Sequence, residues 1–239
     1  MRKWMLLLVL GLLSTSVATM ADTVSLTFVN AAGPSGGGET VYPYNMTMVR
    51  NGTTSSVAML CDTYPYHIQG GESWTANVAT FSNNNSLSGL SGTLFGSTTY
   101  NGVSNPLYRS NALQLYQQAA YLFLQLGTHS ADAVGINFAI WQLMYPSTPG
   151  YAGTGNGTIT DPTTSAYWIN QAQTATFTTG EFNGIAIYTP VAGSATGYPS
   201  GSAIPQEFIG PAPVPEPGSL ALLGTGLVSL AGFIRKRFS

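Results

Sequence analysis

The stretch TVYPYNMTMVRNGTTSSVAMLCDTYPYHI, residues 40–68, carries the pattern that decides the fold. Residues 40–49 and 56–68 have the residue pattern of two strands. Between them lies Asn51-Gly52, a dipeptide favoured in tight hairpin turns because both positions tolerate positive φ. The stretch therefore predicts an antiparallel hairpin.

The segments on either side of this hairpin extend the β pattern. Residues 23–30 (TVSLTFVN) and 73–81 (SWTANVATF) alternate apolar and polar side chains, which is typical of half-buried strands. Residues 82–106 are rich in Ser, Asn and Gly and indicate irregular structure. The first third of the chain is therefore expected to be β-rich.

The apolar period then changes to that of helices. Residues 110–126 and 130–145 predict two helices, residues 163–175 a short third one, and residues 183–189 a closing strand. Ser110 and Ser130 are the expected N-caps. The expected buried faces are Leu113, Tyr116, Ala120 and Phe123, with Leu124 at the edge, in the first helix, and Ala133, Ile136, Ile140, Leu143 and Met144 in the second.

Strands followed by helices and a last strand favour an α+β fold. We expect a β-rich, sandwich- or barrel-like part with an inserted lobe of two to three helices, and a single C-terminal transmembrane helix. The domain is expected to span residues 22–189. Residues 190–213 hold Gly, Ser and Pro and predict a flexible linker.

Charge is scarce and unevenly placed. Charged residues make up 7% of the sequence and hydrophobic residues 44%. Five of the seven Lys and Arg lie at the ends, as Arg2, Lys3, Arg235, Lys236 and Arg237, and the middle contains no lysine. Because phosphate neutralisation needs clustered cations, the composition excludes nucleic acid as a partner. A low-charge middle that can bury a core suits an extracellular β-rich protein.

The N-terminus has the three parts of a secretory signal peptide. Arg2 and Lys3 form a positive region, residues 4–13 (WMLLLVLGLL) an apolar run, and residues 19–21 (TMA) a small-residue cleavage site. Cleavage is expected after Ala21, with Ala18 as the alternative. Residues 1–21 are therefore predicted to direct export.

The C-terminus carries a second tripartite signal. Pro215, Glu216 and Pro217 precede an apolar run at residues 219–234, and Arg235, Lys236 and Arg237 follow it. As a helix the run is about 24 Å long, slightly short of a hydrocarbon core of about 30 Å, and thinning or snorkelling can absorb the difference. The cations after it keep the C-terminus in the cytoplasm. The domain would then lie outside the membrane.

These three parts, at residues 214–239, resemble the PEP-CTERM sorting signal that exosortases handle in Gram-negative bacteria. The resemblance implies an exosortase-type protease as partner and a transient inner-membrane intermediate. It also implies final placement in the envelope, on the surface or in the extracellular matrix. An ordinary tail anchor is the alternative, and it also gives an envelope protein.

Cys61 and the segment Phe138-Ala139-Ile140-Trp141 weakly resemble the two halves of a bacterial thioester adhesin domain. In that family, a cysteine after an early strand joins a glutamine that lies two residues before Ala-Ile-Trp, and the thioester captures an amine. Asn137 stands at the position of the glutamine, with a side chain shorter by one carbon–carbon bond. The resemblance implies Cys61 and Asn137 as covalent candidates. The alternative is that Cys61 and Trp141 are core residues.

Other chemistry finds less support in the sequence. A Cys61 hydrolase would need His67 or His129 as its base, and His129 with Asp132 gives two metal ligands where zinc needs more. Tyr42, Tyr44, Tyr64, Tyr66 and Trp74 form a candidate sugar-stacking platform, with core packing as the alternative. We expect no cofactor and no bound metal.

These observations predict a non-enzymatic envelope or extracellular-matrix protein, adhesive or associated with exopolysaccharide or another surface ligand. A covalent amine-capturing adhesin that uses a Cys61 thioester is the first alternative. A secreted hydrolase is the second.

Overall fold

The computed structural model describes residues 22–64, 66–153, 158–197 and 206–213. The expected signal peptide and the expected sorting signal, with its transmembrane helix at residues 219–234, lie outside these ranges. Among the helices that the structure describes, none is long and apolar enough to cross a membrane.

Strands occupy both ends of the described chain, and helices lie between them. The strands are β1 (Thr23–Ala31), β2 (Ser35–Gly36), β3 (Glu39–Thr40), β4 (Tyr44–Arg50), β5 (Thr53–Cys61), β6 (Ser73–Thr80), β7 (Thr99–Tyr100), β8 (Val103–Ser104), β9 (Ile185–Pro190) and β10 (Phe208–Pro211). The helices are α1 (Ala112–Gln125), α2 (Ala133–Met144) and α3 (Ser165–Thr174), and short 3-10 turns lie at Leu90–Gly92 and Ser130–Asp132.

Six strands close into an antiparallel barrel in the order β1-β4-β5-β10-β9-β6. Alternate side chains fill its interior, among them the fully buried Leu26, Met46, Met59 and Ile187. The three helices are inserted between β6 and β9. The expected α+β fold with an inserted helical lobe is therefore confirmed, and its β-rich part is a closed barrel.

The hairpin predicted from residues 40–68 is β4 and β5, which pair from Tyr44↔Met59 to Arg50↔Thr53. At its turn Asn51 has φ 49° and Gly52 φ 80°, the left-handed conformation that this dipeptide tolerates. The second strand ends at Cys61 and not at residue 68, because β10 begins opposite Cys61 and the chain beyond it turns, with Tyr66 N–H donating to the Thr63 carbonyl.

The three helices lie where the sequence predicts them. In α1, Tyr116 and Ala120 are fully buried as expected, Leu113 and Phe123 are partly buried against the core, and Leu124 is 41% exposed. Leu115, Ala119 and Leu122 are also buried, so the buried face is wider than expected. The expected buried face of α2 is confirmed at Ala133, Ile136, Ile140, Leu143 and Met144.

The expected N-caps of the first two helices are wrong. Ser110 precedes the cap position of α1, which Asn111 occupies, and Ser130 begins the 3-10 turn that leads into α2. Neither helix has a side-chain cap bond at its N-cap residue, whereas Thr164 Oγ1 accepts a bond from Tyr167 N–H at the start of α3. Tertiary packing thus outweighs capping in the first two helices.

The expected linker at residues 190–213 is wrong for its last part, because β10 lies within it. Phe208 and Ile209 are fully buried, and the strand pairs with β5 on one side and β9 on the other. Gly210 permits this closure, since a Cβ there would lie 2.9 Å from Met59 Cγ. The folded domain therefore extends beyond residue 189 to the end of β10.

The two ends of the described domain meet at one end of the barrel. Arg50, beside the hairpin turn, forms an ion pair of 2.7 Å with Asp22 and donates to the Pro213 carbonyl at 3.5 Å. The helical lobe packs at the other end of β5, where Cys61 lies. The chain thus enters and leaves the barrel opposite its helices.

Candidate functional site

Cys61 and Asn137, the two covalent candidates, meet where α2 packs on the end of β5. Asn137 and Trp141 are four residues apart and therefore share a helical face. Asn137 Nδ2 and Trp141 Nε1 donate to the Cys61 carbonyl at 3.2 and 2.9 Å, and Asn137 Oδ1 accepts from Tyr42 N–H at 3.1 Å. The carboxamide therefore connects the end of β5 to the segment that precedes β4 through backbone groups. Its role as an acyl partner of the thiol stays a prediction.

The Cys61 thiol is buried and faces the following turn. Its Sγ accepts from Thr63 N–H at 3.3 Å and donates to the Thr63 carbonyl at 3.6 Å. Burial raises the pKa of the thiol well above its usual value. A protonated, inaccessible thiol is a poor nucleophile.

A buried carboxylic acid pair, Asp62 and Glu207, lies beside Cys61. Both side chains are fully buried. Tyr116 donates its hydroxyl to Glu207 Oε1 at 2.5 Å, and Glu207 Oε2 accepts from Leu94 N–H at 2.8 Å and from the Thr189 hydroxyl. Glu207 thereby connects the start of β10 to α1, to β9 and to the loop that contains Leu94.

Asp62 accepts fewer hydrogen bonds than Glu207. Its Oδ1 accepts from the Thr63 hydroxyl at 2.8 Å, whereas no donor among the described residues reaches Oδ2. Burial, and then the charge of Glu207, raise the pKa of Asp62 well above its ordinary value. Because Glu207 has three donors, we assign the negative charge to Glu207 and the proton to Asp62.

This pair predicts that the folded protein loses stability as the pH rises. The folded chain keeps a proton on Asp62 that the unfolded chain releases above its carboxyl pKa of about 4. The free energy of unfolding is thus highest below that pH and falls toward the folded-state pKa, by about 1.4 kcal/mol per pH unit for one proton. Thermal unfolding followed across pH measures the slope.

The matched variants for this prediction are Asp62→Asn and Glu39→Gln. The first replaces the buried acid with a neutral side chain of the same shape, so the melting temperature should vary less with pH and rise at alkaline pH. The second removes a carboxylate that is partly exposed and should leave the slope unchanged. A slope that is the same in Asp62→Asn and in the parent would contradict the assignment.

The two histidines lie apart from each other. The His129 ring packs on Trp168 with centroids 5.2 Å apart, and its Nδ1 is 3.7 Å from Asp132 Oδ2. His67 is exposed and lines a cleft of about 320 Å³ together with Glu39, Tyr64 and Trp141. No group of three or more acidic, Cys or His side chains that could hold a metal ion occurs in the part of the chain that the structure describes.

The five aromatic residues of the candidate sugar platform do not form one surface. Tyr44 and Trp74 are buried and pack on Phe208 in the barrel, with ring centroids 5.8 and 5.9 Å away. Tyr42 packs edge-on against Phe123. Tyr64 packs on Trp141 at 5.3 Å, beside the cleft. The core alternative is therefore confirmed for Tyr44 and Trp74.

Sequence reasoning missed Glu207, the residue with the most buried polar contacts in this cluster. It lies 145 residues beyond Asp62 and directly before a strand of four residues that Gly and Pro interrupt, a composition that predicts a loop. The one local signal is Phe208-Ile209, an apolar pair in a polar stretch.

A comparison with protein families identifies the C-terminal segment of the chain. The family model for the PEP-CTERM protein-sorting motif matches residues 213–237, a range that contains Pro215, Glu216, Pro217, Arg235, Lys236 and Arg237. The PEP-CTERM resemblance is therefore confirmed, and with it export, membrane transit to the cell surface and an exosortase as sorting partner. The match covers the sorting signal and not the barrel. No curated protein and no solved structure matches the chain.

Proposed function

We propose that this exosortase-sorted chain is a non-enzymatic component of the cell envelope or extracellular matrix, where it associates with exopolysaccharide. The observation that carries the proposal is the burial of the side chains that could act in catalysis. Cys61, Asp62 and Glu207 are fully buried and hold the fold together, so a substrate cannot reach them. We therefore propose that the domain is displayed on the envelope and binds other matrix components.

The position of the sorting motif supports display of the folded domain. β10 ends at Pro211 and the matched motif begins at residue 213, so the barrel directly precedes the sorting signal. Arg50 holds Asp22 and the Pro213 carbonyl at that end. The helical lobe, at the opposite end, is therefore free to meet partners outside the cell.

Deleting residues 214–239 tests sorting. In a Gram-negative host with an exosortase, the full chain should fractionate with the envelope or matrix, and the deletion variant should appear in the medium, because only the former carries the motif. Immunoblots of the cell fractions measure this. In a host that lacks its exopolysaccharide, the full chain should also leave the matrix.

Cys61→Ala is the control for these experiments, and it should keep the distribution of the parent chain. Two outcomes would contradict the proposal: matrix retention that does not change when the polysaccharide is absent, and full-length protein in the cytosol with its first 21 residues still attached. Catalytic turnover lost in Cys61→Ala would favour the hydrolase.

A covalent adhesin is a second candidate, favoured by the contact of the Asn137 carboxamide with Cys61. In that reaction, Cys61 Sγ would bond to the Asn137 side-chain carbonyl carbon, and ammonia would leave with the thiol proton. Intact-mass measurement separates the candidates. We expect the full sequence mass and a thiol that is alkylated after unfolding, and a mass lower by one ammonia would overturn that expectation.

A further inference from the structure

A groove of about 560 Å³ runs between α1, α2 and α3. Its volume falls within the range of small-ligand sites. Its polar lining consists of carboxamides, on Asn111, Gln114, Gln118, Gln142 and Gln173, and its apolar lining of Leu115, Leu143, Pro146 and Ile169. On α1, positions 111, 114 and 118 form one stripe along the groove, since they are three and four residues apart.

One of these amides lacks a partner that a buried amide normally has. Gln142 Oε1 is buried without a donor in the described part of the chain. Gln118 is 5% exposed and lines the same groove. Buried polar groups are nearly always paired, and leaving one unpaired destabilises the fold. The Gln142 oxygen is therefore available to a ligand.

The lining selects the chemistry of that ligand. No charged residue of the described chain lines the groove, so an anionic or cationic group would lose its hydration without gaining an ion pair there. A carboxamide offers a donor and an acceptor together, which matches a hydroxyl group that both donates and accepts. The aliphatic side chains can cover the apolar face of a sugar ring.

We propose that this groove binds a neutral oligosaccharide segment, with Gln118 and Gln142 bonded to its hydroxyl groups. The inference rests on the proposed association with exopolysaccharide and names the site and the sugar class. The groove lies in the helical lobe, whereas the chain joins its sorting signal at the opposite end of the barrel. A polysaccharide can therefore reach it while the C-terminus is held at the membrane.

Binding by the full-length chain, exported and purified in detergent, tests the site. The probe is an array of neutral glucan, galactan, mannan and xylan oligosaccharides beside anionic alginate and polygalacturonate. We expect binding to neutral members only, and calorimetry on the tightest one should show an affinity about tenfold lower for each amide lost in Gln118→Leu and Gln142→Leu.

Gln125→Leu, on α1 but outside the groove, is the matched control and should bind like the parent. Since Leu replaces an amide whose buried oxygen has no donor among the described residues, Gln142→Leu should melt no lower than the parent, so lost binding in that variant cannot be assigned to unfolding. An array without neutral binding, binding to anionic members alone, or parental affinity in the double variant would each overturn the site. A groove that takes a peptide would leave the array empty.

These outcomes separate the site from the proposed function. An empty array together with retention in the matrix that depends on polysaccharide overturns the groove alone. Neutral binding together with retention that does not depend on polysaccharide overturns the proposed function alone.

Discussion

A chain of residues 22–197 should fail to fold, whereas a chain of residues 22–213 should unfold in one cooperative thermal transition. The two differ in the last segment, which contains β10, and both lack the sorting signal. Removing β10 opens the barrel between β5 and β9 and leaves two unpaired strand edges. It also removes Phe208 and Ile209 from the core, each worth about 2–3 kcal/mol when fully buried.

Circular dichroism and calorimetry on the two purified chains measure the difference. The shorter chain should give no cooperative transition and should aggregate, because open sheet edges pair with other molecules. A synthetic peptide of residues 206–213, added to the shorter chain, offers a second readout. It should restore the cooperative transition, because the peptide can supply β10 between β5 and β9. Equal melting temperatures for the two chains would show that β10 is not part of the folded domain.

Replacing Glu207 with Ala in the 22–213 chain should cost about 3–5 kcal/mol of stability. The substitution leaves the Leu94 N–H and the Thr189 hydroxyl without their acceptor and opens a cavity beside Asp62. Because Glu207, directly before β10, also accepts a bond from Tyr116 of α1, the barrel and the helical lobe lose a contact as well. The melting temperature should fall by about 10 °C.

Glu207→Gln and Glu181→Ala are the controls for this prediction. The glutamine keeps one oxygen for the Leu94 and Thr189 donors and offers its amide to Tyr116, so its cost should be about 1–2 kcal/mol. Glu181 interacts with Thr178 near the surface, and its loss should change stability by less than about 1 kcal/mol. If Glu207→Ala melted with the parent chain, the buried acid would have no part in holding β10.

The sequence was informative where a pattern is local and repeated. The β4–β5 hairpin follows from Asn51-Gly52 between two strand patterns, and α2 from apolar residues at helical spacing. The sorting signal follows from the order of charge and apolar residues along the chain, and the family match confirms it. The Asn137 carboxamide contacts the Cys61 backbone carbonyl, whereas the covalent role that the thioester resemblance implies for the two residues stays a prediction.

The sequence failed where a few residues gain their role from distant partners. β10 has four residues, too few for a periodic signal, and it is a strand because β5 and β9 present open edges on both sides. Glu207 and Asp62 form one cluster only after the barrel closes. The carboxamides of the groove are on three helices, and their separate positions give no sign that they face one space.

The sequence by itself determined the class of the fold, the inserted helices and the route out of the cell, because each depends on neighbouring residues or on charge order. Only the tertiary structure decided that the sheet closes, which acids are buried together and which amides share a groove. Those features depend on contacts between residues far apart in the chain, and contacts of that kind form only when the whole domain packs.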